Sequence, residues 1–222
     1  MHVRLLISAF AAAVASAFAC AHLESSKPVR FASRVAFHDA AGELSFRLEP
    51  DRSDVRIDDA RGAPLVVLRA EAGALSIWDG RSRHLGLVQP LEQRSGFRLL
   101  TREGGETVLE LRAEPDGDLS LLTSLGARLY EVKRRNYGFK VVGAQGRLQS
   151  KIRSRSTKTS VRNASGETYL WTRDSIPAAA VAALALDGVR FEHAAALCVA
   201  IVHWGIPEVE GANQLRKPSG LR

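Results

Sequence analysis

Nine consecutive residues near the end of the chain, Ala194-Ala195-Ala196-Leu197-Cys198-Val199-Ala200-Ile201-Val202, carry no charged or hydrogen-bonding polar side chain, so a helix through them is apolar on every face. Such a helix needs apolar surroundings on all sides. It is too short to cross a bilayer, which takes about 20 apolar residues. It comes last, after a long stretch of short alternating segments that read as strands. That order predicts a barrel built first and an apolar helix placed inside it.

The strand reading rests on turn signals. Ala41-Gly42, Arg61-Gly62, Ala72-Gly73, Asp79-Gly80, Gly104-Gly105, Asp116-Gly117, Tyr137-Gly138, Gln145-Gly146 and Ser165-Gly166 separate short runs, the pattern of an antiparallel barrel or sandwich. Within the runs apolar and polar residues alternate. Leu44, Phe46 and Leu48 oppose Glu43, Ser45, Arg47 and Glu49, Leu109 and Leu111 oppose Glu110 and Arg112, and Tyr169 and Trp171 share a face. About a dozen strands fit between Val35 and Thr172, too many for one flat sheet, so closure or two packed layers is expected. After Asp174 the pattern becomes helical. Pro177 suits a first turn with Ser175 or Asp174 as cap, residues 178–186 have high helix propensity, and Asp187-Gly188 ends the run. A second helix runs from Arg190 or Phe191 to Trp204, stopped by Gly205 and Pro207. The expected fold is mainly β: a closed antiparallel barrel of about 12 strands enclosing a C-terminal hydrophobic helix, with Leu197, Val199, Ala200 and Ile201 buried within.

The first residues read as a targeting segment. A short basic start and an uncharged apolar run over residues 5–19 have the proportions of a secretory signal. Ala17-Phe18-Ala19 before Cys20 satisfies a small-x-small cleavage rule, and Ala19-Cys20 also matches the end of a bacterial lipobox, whose cysteine is acylated. Lipidation of Cys20, plain secretion and a retained anchor stay open. The expected organisation is a signal over residues 1–20, a polar tether over 21–33, the barrel with its terminal helices over 34–207, and a disordered tail over 208–222. Cys20 and Cys198 are the only cysteines, so no disulfide framework exists. Cys198, inside the apolar run, reads as a small buried hydrophobe.

Charge is the second signal. Residues 128–162 hold eleven cations, Arg128, Lys133, Arg134, Arg135, Lys140, Arg147, Lys151, Arg153, Arg155, Lys158 and Arg162, against Glu131 alone; the whole chain is +7. Lys151, Arg153 and Arg155 recur at period two, on one strand face, with Leu148, Ser150, Ile152 and Ser154 on the other. Lys133, Arg134, Arg135, Lys140, Lys151, Arg153, Arg155 and Lys158 are the candidate anionic-ligand residues. The alternative for this row is a solvated outer face. Nucleic acid is disfavoured by the signal segment and by the scarcity of interleaved aromatics, since Tyr130, Tyr137 and Phe139 read equally well as core.

Short antiparallel strands followed by a terminal hydrophobic helix resemble the tubby C-terminal fold, shared with phospholipid scramblases and LURP-one-related proteins. Residues 181–187 leading into Phe191-Glu192-His193-Ala194-Ala195-Ala196-Leu197 are similar to the way bacterial members close the barrel. The resemblance covers residues 34–205 and implies a closed barrel around its helix. Tubby domains bind phosphoinositides, so it also implies an anionic lipid as partner. A calcium loop or palmitoylated cysteine cluster of the scramblase kind is missing, so scrambling activity is not implied.

Catalytic signatures are absent from the sequence. It has no Gly-x-Ser-x-Gly, no His-Glu-x-x-His, no paired CxxC and no phosphate-cradling loop, and no catalytic residue, metal or cofactor is implied. His193 and His203, ten residues apart on the final helix, lie about 15 Å apart in height, too far for one metal. Asn163-Ala164-Ser165 matches a glycosylation triplet in an expected turn. Two functional readings follow: a non-enzymatic exported or envelope-anchored barrel that binds an anionic lipid or envelope component, and a hydrolase whose site the sequence does not reveal.

Overall fold

In the computed structural model, residues 33–92, 95–102 and 105–206 are described. The expected signal, Cys20, the tether as far as residue 32 and the tail lie outside them. Fourteen strands follow one another: β1 Val35–His38, β2 Leu44–Asp51, β3 Asp54–Asp59, β4 Pro64–Glu71, β5 Ala74–Asp79, β6 His84–Pro90, β7 Gly96–Thr101, β8 Thr107–Ala113, β9 Leu119–Thr123, β10 Arg128–Arg135, β11 Gly138–Gly143, β12 Leu148–Arg155, β13 Lys158–Asn163 and β14 Thr168–Thr172. Each is antiparallel to the next, and β1 pairs with β14, so the sheet is a closed barrel. Alternation decides the faces. Val55 and Ile57, Leu75 and Ile77, and Leu119 and Leu121 point inward and are almost fully buried, while Arg56, Lys140 and Arg162 point outward.

The barrel is seven successive hairpins. Asp39, Asp59 and Asp79 stand twenty residues apart, as do Thr123, Gly143 and Asn163, and each opens the same turn at the same end of the barrel. In that turn the first residue's N–H donates to the carbonyl four residues on, and the fourth residue's N–H donates to the first residue's carbonyl. Where the first side chain carries oxygen, it accepts from the backbone as well: Asp59 Oδ1 from the N–H groups of Arg61 and Ala63, both at 2.8 Å, and Thr123 Oγ1 from that of Ala127 at 3.1 Å. The fourth position is left-handed, hence Gly62 at φ 84°, and Ser82 accepts the same strain at φ 59°. Two strands more than expected are present because several hairpins turn without the glycine dipeptide that marks the others. Arg52-Ser53 and Ser156-Thr157 are two of these.

Two helices fill the barrel, α1 Ala178–Ala183 and α2 Phe191–Trp204. Residues 194–201 of α2 are each at most 4% exposed, which requires cover on every face. α2 packs on β4, β5, β6 and β7, α1 packs on β11, β12 and β13, and the helices pack on each other. Those two groups of strands are opposite walls of the ring. A fourteen-stranded barrel is about 28 Å across between backbone walls. One helix leaves a gap in such a lumen. Wall to helix, helix to helix and helix to wall, at about 10 Å each, close it. Alanines at 178–180, 182, 183, 194–196 and 200 let both fit.

α1 is shorter than its sequence suggests, ending at Ala183 because Leu184 and Ala185 turn back on Val181 and Ala182. Its N-cap is Pro177, with no side-chain cap. The expected cap Asp174 instead accepts the N–H of Ala36 through Oδ2 at 2.6 Å and so holds β1 in place. This contact matters because β1 and β14 share one register pair, His38 with Trp171. Their rings stack at 4.5 Å, and Trp171 Nε1 donates to the carbonyl of Asp39 at 2.8 Å, sealing the barrel.

Candidate functional site: a cationic outer wall

Two tight turns set the register of the wall from β10 to β13. Across Asn136-Tyr137, Arg135 faces Gly138 and Lys133 faces Lys140. Across Ser156-Thr157, Arg155 faces Lys158 and Lys151 faces Arg162, while β11 and β12 bring Lys140 opposite Lys151. Lys133, Lys140, Lys151 and Arg162 thus form one transverse row over four adjacent strands, each step about 4.8 Å. Lys151, Arg153 and Arg155 form the column along β12 that the period-two spacing predicts, its steps about 7 Å.

Like charges directly opposite on a sheet are unfavourable, and outside this wall the described register sets Asp51 against Asp54 beside the β2–β3 turn, while most outward cations have an acid as neighbour. Arg34 and Arg47 meet Glu49, Arg56 meets Asp58, Arg69 meets Asp54 and Arg112 meets Glu110. The wall has one acid of this kind, Glu131, which engages Arg128 and, at 2.8 Å, Lys133. The Lys133 hydrogen bond, with the Lys133 and Arg128 charges, holds the Glu131 carboxyl below its ordinary value. Among the described residues Lys140, Lys151, Arg153, Arg155, Lys158 and Arg162 form no ion pair. Nε of Arg153 and of Arg162 are shielded from solvent and have no hydrogen-bond partner among the described residues.

Aromatic rings fix part of this charge without neutralising it. Lys158 Nζ sits 4.1 Å above Trp171, Arg173 approaches the same ring at 5.6 Å, and the Arg153 guanidinium lies 5.7 Å from Tyr137. Tyr137 and Trp171 therefore belong to the face, and Tyr137 is not the core residue that one sequence reading made it. Arg134 does not belong. It shares the inward register of Val132 at the barrel rim, and its guanidinium rests by Gly117 in the β8–β9 turn. Its N–H donates to Asp118 Oδ1 at 2.5 Å. Lys133, Arg135, Lys140, Lys151, Arg153, Arg155 and Lys158 share the outer face, joined by Arg162. Cys20 lies outside the described residues.

The field has edges. On the β9 side is a depression of about 450 Å³ lined by Glu114, Asp116, Asp118 and Glu131 with Arg128 and Lys133. On the other side is the His38–Trp171 seam. Among the described residues no three metal-binding side chains cluster, and no helix is long and apolar enough to cross a membrane. His193 is turned toward the neutral form by burial.

No family model matches the chain, and no curated protein matches it. Among solved structures, a protein from Arabidopsis thaliana is 16% identical, with 55% of this chain aligned to 86% of that one at a TM-score of 0.35. An alternansucrase in complex with isomaltononaose is 15% identical over 58% of this chain and 12% of its own, at a TM-score of 0.17. Neither likeness is strong enough to carry an argument about this barrel.

Proposed function

We propose that the protein is a non-enzymatic, exported barrel of the bacterial cell envelope that docks on an anionic lipid surface through the outer wall of β10 to β13. The observation that carries this reading is the unpaired row Lys140, Lys151 and Arg162, in a barrel whose other outward cations largely have acids beside them. An uncompensated row costs folding energy that an anionic partner returns. The wall of a closed barrel is convex, which suits a flat array of head groups better than a small enclosed ligand. Outward charges such as Arg56, Arg112 and Lys151 suit a barrel that lies on a membrane, since a spanning barrel needs an apolar outer band. The lumen holds helices, so the outer surface is what remains for recognition. The tubby-like kinship suggested by the element order, the signal over residues 1–20 and acylation of Cys20 belong to the same proposal.

Flotation with anionic and neutral vesicles tests it. Wild type should float with anionic vesicles at low salt and stay behind with neutral ones. The triple variant Lys151→Gln, Arg153→Gln, Arg155→Gln should lose about 1 kcal/mol of binding per residue. It should unfold at or above the wild-type temperature, because Ser150 and Ile152 keep the inward contacts of β12. Wild type that ignores anionic vesicles at low salt, or a folded variant that binds as well as wild type, defeats the reading.

A further inference from the structure

At its β9 edge the outer wall sinks inward. Ser120 and Leu122 point outward there, Ser120 in register with Arg112 and Glu131, and Leu122 with Glu110 and Arg128. Both are buried although they face away from the lumen, Ser120 at 3% exposed. Longer side chains of β10 and of the β8–β9 turn rise around Ser120 and enclose the depression of about 450 Å³. On its floor the Ser120 hydroxyl makes no hydrogen bond among the described residues. A buried hydroxyl without a partner is an open place for a polar group of a ligand. Lys133 borders the depression and also begins the transverse row of cations. Its Nζ meets Glu131 at 2.8 Å and keeps two N–H donors for another anion. Glu114, Asp116 and Asp118 line the other side, and none of them has an ion pair among the described residues. Backbone N–H groups hold two of these carboxylates, Asp116 through that of Asp118 at 3.0 Å and Asp118 through that of Arg134 at 2.5 Å, but cancel neither charge. Among the described residues no three metal-binding side chains cluster, so an organic cation suits the acids better than a metal ion. Three such acids beside a cationic face repel a purely anionic surface and suit a head group that carries both signs. We infer that the depression seats the primary ammonium of a phosphoethanolamine-type lipid head whose phosphate rests on Lys133. This rests on the docking reading above. Asp118 precedes Leu119, the register partner of Val132, so it stands across from Lys133 at about one strand spacing, about 4.8 Å. Two methylenes separate nitrogen from ester oxygen in that head group, a reach comparable with the spacing. A primary ammonium has three N–H donors for the carboxylates and the Ser120 hydroxyl, and a trimethylated one has none.

The test is flotation of the full chain at low salt on two kinds of vesicle with the same fraction of phosphatidylglycerol. In one the remaining lipid is phosphatidylcholine; in the other half of that phosphatidylcholine is replaced by phosphatidylethanolamine. At the lipid concentration where half of the wild type floats on the choline vesicles, the ethanolamine vesicles should raise the bound-to-free ratio about threefold, the scale of one exposed ion pair. The double variant Glu114→Gln, Asp116→Asn should lose that preference. It should float on the choline vesicles at least as well as wild type, because fewer acids then repel phosphatidylglycerol. Asn at position 116 keeps the oxygen that accepts the Asp118 N–H, and Asp118 keeps its bond to Arg134, so the variant should melt like wild type. Equal flotation of wild type on the two kinds of vesicle overturns the ammonium seat and leaves docking through the wall intact. So does a preference that the double variant retains, or a folded double variant that floats less well than wild type on choline vesicles. Wild type that floats on neither overturns the docking reading, and the seat falls with it.

Discussion

Reversing one charge at the centre of the row should make the barrel more stable and less able to bind. Lys151 stands in register between Lys140 and Arg162. Lys151→Glu replaces two like-charge neighbours by two opposite-charge neighbours, and each directly opposed pair on a sheet is worth about 0.2–1 kcal/mol in either sense. The side chains are partly exposed, so solvent keeps each contribution near its lower end. The sum is a gain of about 1–2 kcal/mol. For a domain of this size that raises the midpoint of thermal unfolding by about 3–6 °C. Circular dichroism melts at low salt measure it, with Lys151→Gln as the intermediate that only removes repulsion. In 1 M NaCl, where the screening length is about 3 Å, most of the gain should disappear. Vesicle flotation of the same variant should fail. A Lys151→Glu protein that melts at or below the wild-type temperature at low salt refutes the view that this row is held together against its own repulsion. So does a gain of the same size in 1 M NaCl.

Leu197 is fully buried in α2, so Leu197→Asp places an unpaired charge in the lumen and should leave no cooperative unfolding transition, whereas Leu197→Ala should cost about 2–5 kcal/mol in urea melts. Burial pushes the Cys198 thiol up to about 12, so a thiol reagent at pH 8 should leave it unmodified in the native protein and label it fully once denaturant is added. The Asp79 carboxyl is held below its ordinary value, first by the backbone N–H of Arg83, then by that residue's guanidinium and the N–H of Arg81. A carboxyl with a lowered folded value stabilises at pH above its unfolded value, near 4, and loses that contribution as pH falls through the folded one. Asp79→Asn should therefore lower the melting temperature at pH 7, and the difference from wild type should shrink as pH drops below about 4.

The barrel and its buried helix were legible because both are written in periodicity. Alternation in Leu44, Phe46 and Leu48 or in Leu109 and Leu111 needs no partner strand to be seen, and nine apolar residues in a helix admit only burial. The strand count was less legible, since Arg52-Ser53 turns with Arg52 at φ 52° and no glycine to announce it. That two helices share the lumen depends on the barrel's diameter, which depends in turn on the strand count. The column on β12 could be read from spacing within one segment. The transverse row could not, because it requires register across two hairpins. Counting outward from Ser156-Thr157 as a two-residue turn pairs Lys151 with Arg162, so the signal existed but only once that turn was recognised. Trp171 entered the face through a contact with Lys158 on a neighbouring strand, again a matter of register.

The seven hairpins offer a way to separate what the fold requires from what it permits. Inward positions recur in kind from hairpin to hairpin: Val55 and Ile57, Leu75 and Ile77, Phe97 and Leu99, Leu119 and Leu121 hold equivalent places, because each must fill the same annulus around α1 and α2. The opening residue of each turn at one barrel end is held just as tightly by its backbone hydrogen bonds. Outward positions have no such constraint, and there the hairpins diverge. Along β2 to β4 and on β8 they carry ion pairs such as Arg56 with Asp58 and Arg112 with Glu110, the neutral solution for a solvated wall. From β10 to β13 the equivalent positions carry Lys133, Lys140, Lys151 and Arg162, with Glu131 as the single acid among them. The departure runs over four adjacent strands, bounded by the acidic depression at β9 and the Trp171 seam at β14, and it is this face on which the proposed docking rests.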